Sequence, residues 1–308
     1  MKLDAEELRE RAEAARALLS PCTLCPRDCL VRRAAGEAGP CRIGAVARVA
    51  SYGPHFGEEP PLVGTSGSGT IFFSGCNLRC LFCQNRDISR EAVGVPVNAD
   101  GLAAMALDLE SRGCHNLNLV SPTHVMPQIL AGLAEAARLG FGLPVVWNCG
   151  GYESLAALRL LEGVVDIYMP DLKYAEEIEG RRLSGVREYP SRARAALLEM
   201  RRQVGDLVLD ERGIAVRGLL VRHLVLPGGC AGTEAAMEFL AERISRDTWV
   251  HVMDQYRPVG SGLSPLGLDR RCTAEELAEA ASAARRAGLG RGIFPVPGPR
   301  GPAAGPDP

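Results

Sequence analysis

The chain has 308 residues, 46% of them hydrophobic and 23% charged, with a formal net charge of −2. That length can bury a substantial core, and the composition is that of a globular protein. The balanced charge gives no basic footprint for nucleic acid or an anionic membrane, so neither is expected as a partner.

The opening stretch "MKLDAEELRERAEAARALLS" is charged throughout, with Leu3, Leu8, Ala12, Ala15 and Leu19 at helical spacing. It reads as an amphipathic helix and not as a signal peptide. No apolar run reaches the roughly 18–20 residues that cross a bilayer. Eleven cysteines without an export signal point to a cytoplasmic protein with reduced thiols, in which clustered cysteines usually mean metal. The first cluster follows directly. "CTLCPRDCLVRRAAGEAGPC" places Cys22, Cys25, Cys29 and Cys41 at C-x2-C-x3-C-x11-C spacing, with Pro21, Pro26 and Gly39-Pro40 around them. Four thiols close a site, so structural zinc and an auxiliary iron–sulfur cluster both fit, with iron–sulfur favoured. Residues 1–50 are therefore expected to form a helix and a small four-cysteine metal-binding appendage. Beyond it, Glu58 and Glu59 in "GEEPP" read as a solvated face near the mouth of the domain that follows.

From Thr70 the pattern alternates. "TIFFSG", "NLNLVS", "LPVVWN", "VVDIYMPDL", "GLLVRHLVL" and "TWVHVMDQY" read as strands. Between and after them, "NADGLAAMALDLESRG", capped by Asn98 or Asp100, and "VMPQILAGLAEAARLG", ending at Gly140, read as helices. So do "ESLAALRLLEG", "SRARAALLEMRRQVG", "GTEAAMEFLAERIS" and "TAEELAEAASAARRAG". Six β/α units imply an α/β fold with a parallel sheet, a partial (β/α)6 barrel over residues 51–294, short of the eight units of a closed one. Its active site is expected in the loops at the C-terminal strand ends. The last stretch, 295–308, is nearly all Pro, Gly and Ala and is expected to be a disordered tail.

The second cysteine cluster sits where that chemistry is expected. "SGCNLRCLFCQN" puts Cys76, Cys80 and Cys83 just after the first long strand. Three thiols are one short of a closed tetrahedral site, and no second pair or histidine completes the set within the loop. Three thiolates on a four-iron cluster leave one iron open to bind a substrate or cofactor. Phe82 would shield one cluster face. Cys114, Cys230 and Cys272 read as structural. Neither lysine, Lys2 or Lys173, lies in a P-loop context, and "GTSGSGT" precedes a strand instead of opening a helix, which excludes nucleotide-phosphate motifs of those kinds.

C-x3-C-x-aromatic-C after a first β-strand is the signature of the radical S-adenosylmethionine (SAM) superfamily, which this sequence resembles. Together with "HFGEEPPLVGTSGSGTIFFSGCNLRCLFCQN", "LNLVSPTH", "IYMPDLKY", "VRHLVLPG" and "MDQYRP", it is similar to the pyruvate formate-lyase activating enzyme-like subgroup over roughly residues 20 to 290. The resemblance implies a 4Fe-4S cluster on Cys76, Cys80 and Cys83, with SAM as the missing fourth ligand. It also implies an electron donor such as flavodoxin or ferredoxin, and a 5′-deoxyadenosyl radical that abstracts hydrogen. Activating enzymes carry a Gly-Gly-Glu segment at the end of the second parallel strand. This chain has "SPTH" there, so Ser121, Thr123 or His124 is expected to take over cofactor binding. Asp171 and Lys173 match a segment in which the aspartate helps hold a cation and the lysine meets the cofactor carboxylate. Asn148 stands where an acidic residue is expected, and Cys149 is a candidate hydrogen-atom donor. The substrate is expected to be a glycyl-radical enzyme or, alternatively, a small molecule or a cofactor-assembly intermediate. A zinc-binding scaffold without catalysis is the alternative of another class.

Overall fold

The computed structural model describes residues 3–260 and 262–295. The expected tail, 295–308, lies outside the described residues from residue 296 on. In chain order the helices are α1 (Ala5–Ala17), α2 (Pro60–Val63), α3 (Arg86–Glu91), α4 (Ala99–Ser111), α5 (Met126–Arg138), α6 (Leu155–Leu160), α7 (Glu177–Ser184), α8 (Tyr189–Val204), α9 (Thr233–Phe239) and α10 (Ala274–Arg286). The strands are β1 (Ala47–His55), β2 (Ser68–Phe73), β3 (Val95–Val97), β4 (Leu117–Val120), β5 (Val145–Cys149), β6 (Ile167–Pro170), β7 (Val208–Leu209), β8 (Ala215–Leu224), β9 (Trp249–Met253) and β10 (Gly292–Ile293).

The six predicted strands are β2, β4, β5, β6, β8 and β9, and they lie parallel in that order. β10 adds a short parallel edge on β9, while β1 pairs antiparallel with β2 and β3. The fold is thus a mixed α/β one around a parallel sheet. Sequence reading misses β1 and β3 because each carries a proline, Pro54 and Pro96, a residue tolerated mainly on edge strands. It misses α3, which buries nothing, and α7, which Gly180 interrupts.

Side chains alternate across the strands as the pleat requires. Val145, Trp147, Tyr168, Leu219 and Val250 face the helices in the main core. Val146, Ile167, Met169, Leu220 and Trp249 face the other way and form a second, smaller core. Burial on both faces explains the continuous apolar runs. Leu62 of α2 is fully buried in that inner core, so the segment after Glu58-Glu59 runs into the interior of the sheet.

α1 begins with a capping box, the Asp4 side chain accepting from the amides of Glu6 and Glu7 while Glu7 accepts from the Asp4 amide. Its buried face, Leu8, Ala12 and Ala15, packs on α5 within the main core. The boundary expected at 50/51 falls inside β1, so the N-terminal residues enter the sheet without a linker. Leu8→Ala is expected to lower the unfolding free energy by about 2–5 kcal/mol, read by chemical denaturation in one transition. A separate early transition of the N-terminal segment would show instead that it folds on its own.

Candidate active site

β2 ends at Phe73, and the chain turns at Gly75 in the left-handed region (φ +82°), where a Cβ would come 2.4 Å from the Cys41 carbonyl oxygen. Only glycine fits there. The loop beyond carries Cys76, Cys80 and Cys83 and is held by backbone bonds. The Leu81 amide donates to the Leu183 carbonyl (2.8 Å), that of Arg79 to Ser184 (3.2 Å) and that of Gly75 to Ile88 (2.9 Å). Arg90 donates to the Cys80 carbonyl at 2.7 Å. Cys80 Sγ lies 3.0 Å from Ser184 Oγ and Cys83 Sγ 3.3 Å from Ser89 Oγ. Phe82 is buried edge-on against Tyr174 and Tyr256, closing one side of the loop to water. Burial, with Cys80 adding, pushes the Cys76 thiol up to about 12 although Lys173 opposes it. Burial raises Cys80 as well. Cys76 and Cys80 stay protonated until a metal displaces their protons, which couples metal binding to proton release.

These thiols open on a cavity of about 300 Å³ at the C-terminal strand ends. Ser121 after β4, Asn148 and Cys149 at the end of β5, and Asp171 and Lys173 after β6 line it. Lys173 Nζ pairs with Asp171 Oδ2 at 2.5 Å. Burial alone would lower the lysine, but Asp171 and Cys80 outweigh it and hold the ammonium above the ordinary lysine range. The Lys173 amide also donates to Tyr189 Oη (2.9 Å), which locks the turn.

The donor set fits a cluster with an open site. Cys76, Cys80 and Cys83 are one another's electrostatic neighbours, whereas Cys149 has burial, Glu153 and Asp171 around it and stands apart. A four-iron cluster, which spreads its ligands, suits three thiols on one loop better than a single ion does.

Two expected cavity residues lie elsewhere. Ser121 takes a left-handed conformation (φ +56°), and the turn Thr123–Val125 carries the next side chains away. Thr123 Oγ1 donates to Glu153 Oε1 at 2.5 Å in the core. His124 Nε2 lies 2.8 Å from the Ser74 carbonyl oxygen and faces the pocket of Cys22, Cys25, Cys29 and Cys41. Neither reaches the cavity, so of the "SPTH" residues expected to bind the cofactor only Ser121 is placed to do so.

The interior ion cluster escapes sequence reading. Glu59 is 2% exposed and Glu58 lines the cavity, so the pair is no solvated face. Arg222 of β8 donates to both oxygens of Glu59, at 2.7 Å from Nε and 2.5 Å from Nη2, and pairs with Glu58. His251 of β9 shares Glu59 Oε1 at 2.7 Å, and Asn118 donates to Glu58 at 3.0 Å. Burial would raise the Glu59 carboxyl, but Arg222 and His251 reverse this and lower it from 4.5 to about 2. The one available signal was a lone arginine in the apolar strand "GLLVRHLVL", which needs a buried acid.

The family model described as "Radical SAM superfamily" matches residues 70–214. A relative named as uncharacterized protein MJ0674, from Methanocaldococcus jannaschii, is 32% identical over 290 residues, covering 91% of this chain and 78% of that protein. Two similar solved structures are TYW1 with a lysine-pyruvate adduct bound and Streptococcus suis SuiB bound to precursor peptide SuiA. The TYW1 match has a TM-score of 0.43 and 11% identity, over 70% of this chain and 73% of that one. The SuiB match has 0.47 and 13%, over 71% of this chain and 46% of that one. No helix among the described residues is long and apolar enough to cross a membrane.

A buried acid with a depressed pKa stabilises the fold above its unfolded pKa and loses that contribution as pH falls through its folded value. Wild type is therefore expected to lose stability between pH 4.5 and about 2 through Glu59. Denaturation across that window should show a shallower fall for Glu59→Gln. Arg222→Met, which strands both carboxylates, is expected to cost about 3–5 kcal/mol at pH 7.

Proposed function

The chain belongs to the radical SAM superfamily, and from that premise we propose that it is a radical-generating enzyme that acts on a small molecule in the cavity above β2, β4, β5 and β6. The chemistry that a 4Fe-4S cluster would supply when bound is one electron for reductive cleavage of SAM, the source of a radical able to abstract hydrogen. Cys76, Cys80 and Cys83 would hold the cluster. The carrying observation is that these thiols share one cavity with the Lys173–Asp171 pair. Lys173 presents a permanent cation for a carboxylate, Asp171 fixes its direction, and Ser121 and Asn148 offer neutral hydrogen bonds beside it. Phe82, Tyr174 and Tyr256 exclude water from the loop side. Cys149, in the cavity lining, would donate its thiol hydrogen atom to the substrate radical, and the thiyl radical left on sulfur would be restored by one electron from the external donor and a proton from water.

The cavity of about 300 Å³ is the space that the cluster and SAM would fill, and the proposed small substrate would enter above it. Glycyl-radical activation, the reading the subgroup resemblance suggests, would need a long groove across this mouth. The remaining partner in the proposal is a one-electron donor such as flavodoxin or ferredoxin. We further propose that Cys22, Cys25, Cys29 and Cys41 hold a second metal centre, zinc or iron–sulfur. Cys22 and Cys41 stand beside both Cys25 and Cys29.

Anaerobic reconstitution with iron and sulfide, then dithionite and SAM, should yield 5′-deoxyadenosine from wild type. The Cys76→Ala, Cys80→Ala, Cys83→Ala triple variant should yield none. A wild type that binds only zinc and makes no 5′-deoxyadenosine would overturn the enzyme reading in favour of a metal-bound scaffold. Lys173→Met is expected to keep its iron and to raise the KM for SAM by about 10-fold or more, the worth of one charge-assisted bond.

A further inference from the structure

We propose that Arg33 is the counter-cation of a net-negative thiolate centre held by Cys22, Cys25, Cys29 and Cys41. This rests on the reading above that those thiols bind metal.

Arg33 is 1% exposed, among the largest fully buried side chains. Its guanidinium touches only neutral oxygens. Nε and Nη2 donate to the Gly44 carbonyl at 3.0 and 2.8 Å, and Nη1 donates to the His124 carbonyl at 2.7 Å. No carboxylate pairs with it among the described residues. A buried cation without an anion is costly and is not retained by carbonyls alone. The groups that share its pocket are Cys22, Cys25, Cys29 and Cys41, with Arg27 and His124.

The neighbours do not settle the charge. The His124 ring is committed to the Ser74 carbonyl oxygen, 2.8 Å from Nε2, and brings no anion. Glu153 stands beside Cys25 but accepts from Thr123 Oγ1 at 2.5 Å and is not paired with Arg33. Arg27 also bonds carbonyls only, those of Asn77, Ser184 and Gly185. It is half-buried and shares its charge with solvent, so it adds a second cation and no anion. Among the described residues no acidic side chain in this pocket pairs with either guanidinium. Four thiolates on a zinc ion, or on an oxidised four-iron core, leave two net negative charges in either case, which Arg33 and Arg27 match. The same contacts join this pocket to the active-site loop. Arg33 holds the His124 carbonyl, and the His124 ring binds the carbonyl of Ser74, two residues before Cys76.

The test uses the full chain with Cys76, Cys80 and Cys83 replaced by alanine, so that metal counted by elemental analysis belongs to the N-terminal thiols. In that background Arg33→Met is expected to speed metal release to EDTA by about 10–100-fold, the range for lost outer-shell partners, while Arg33→Lys stays near the parent rate. Thermal unfolding gives an independent sign. Arg33→Met should lower the melting temperature of the loaded chain and raise or leave unchanged that of the metal-free chain. An unchanged release rate, equal losses for lysine and methionine, or destabilisation in both forms would overturn the counter-cation role and leave Arg33 a packing residue. If Cys22→Ser, Cys25→Ser retains all the parent's metal, the metal reading of those thiols fails. Loss there with no effect at Arg33 sinks the arginine proposal alone.

Discussion

A paired charge cluster inside the sheet sets the frame for the rest. Glu58, Glu59, Arg222 and His251 come from three separate parts of the chain, yet the carboxylates and the guanidinium occupy one water-poor interior. Such a set is tolerable only if every member keeps its partners, so the segment before β2, the middle of β8 and that of β9 are fixed relative to one another. The register carries outward from there. The Leu172 amide donates to the Arg222 carbonyl at 2.8 Å, so β6 leaves the sheet with Asp171 and Lys173 directed into the cavity.

The thiol loop depends on a different set of restraints, mostly backbone. Carbonyls at the end of α7 take up the loop amides, and Gly75 lets the loop lie against Cys41 without a side chain between them. The two cysteine groups, 35 residues apart between Cys41 and Cys76 in the sequence, are thereby neighbours across a single layer of backbone. Arg27 reinforces this by bonding the Asn77 carbonyl from the N-terminal side. Burial raises the Cys76 and Cys80 thiols, so metal binding there would release protons.

The strand alternation, the Asn98 cap of α4 and the cysteine spacing were all legible, because each is a local pattern enforced by a period, a cap or a short loop. The "SPTH" segment was only half legible. Its residues are consecutive, but a left-handed Ser121 followed by a tight turn sends Ser121 one way and Thr123 and His124 the other. Glu58 and Glu59 misled for a related reason. Adjacent acids beside prolines look solvated until an arginine more than 160 residues later meets them.

By itself, then, the sequence determined the order of β/α units and the three-thiol loop at the end of the first parallel strand. Neighbours along the chain decide those features through backbone geometry and side-chain period. The tertiary structure alone decided that the acids are interior, that His124 faces the N-terminal thiols, and that Arg33 is a buried cation among them. Those outcomes depend on which charges are desolvated together, and desolvation is a property of the assembled core that no stretch of chain carries alone.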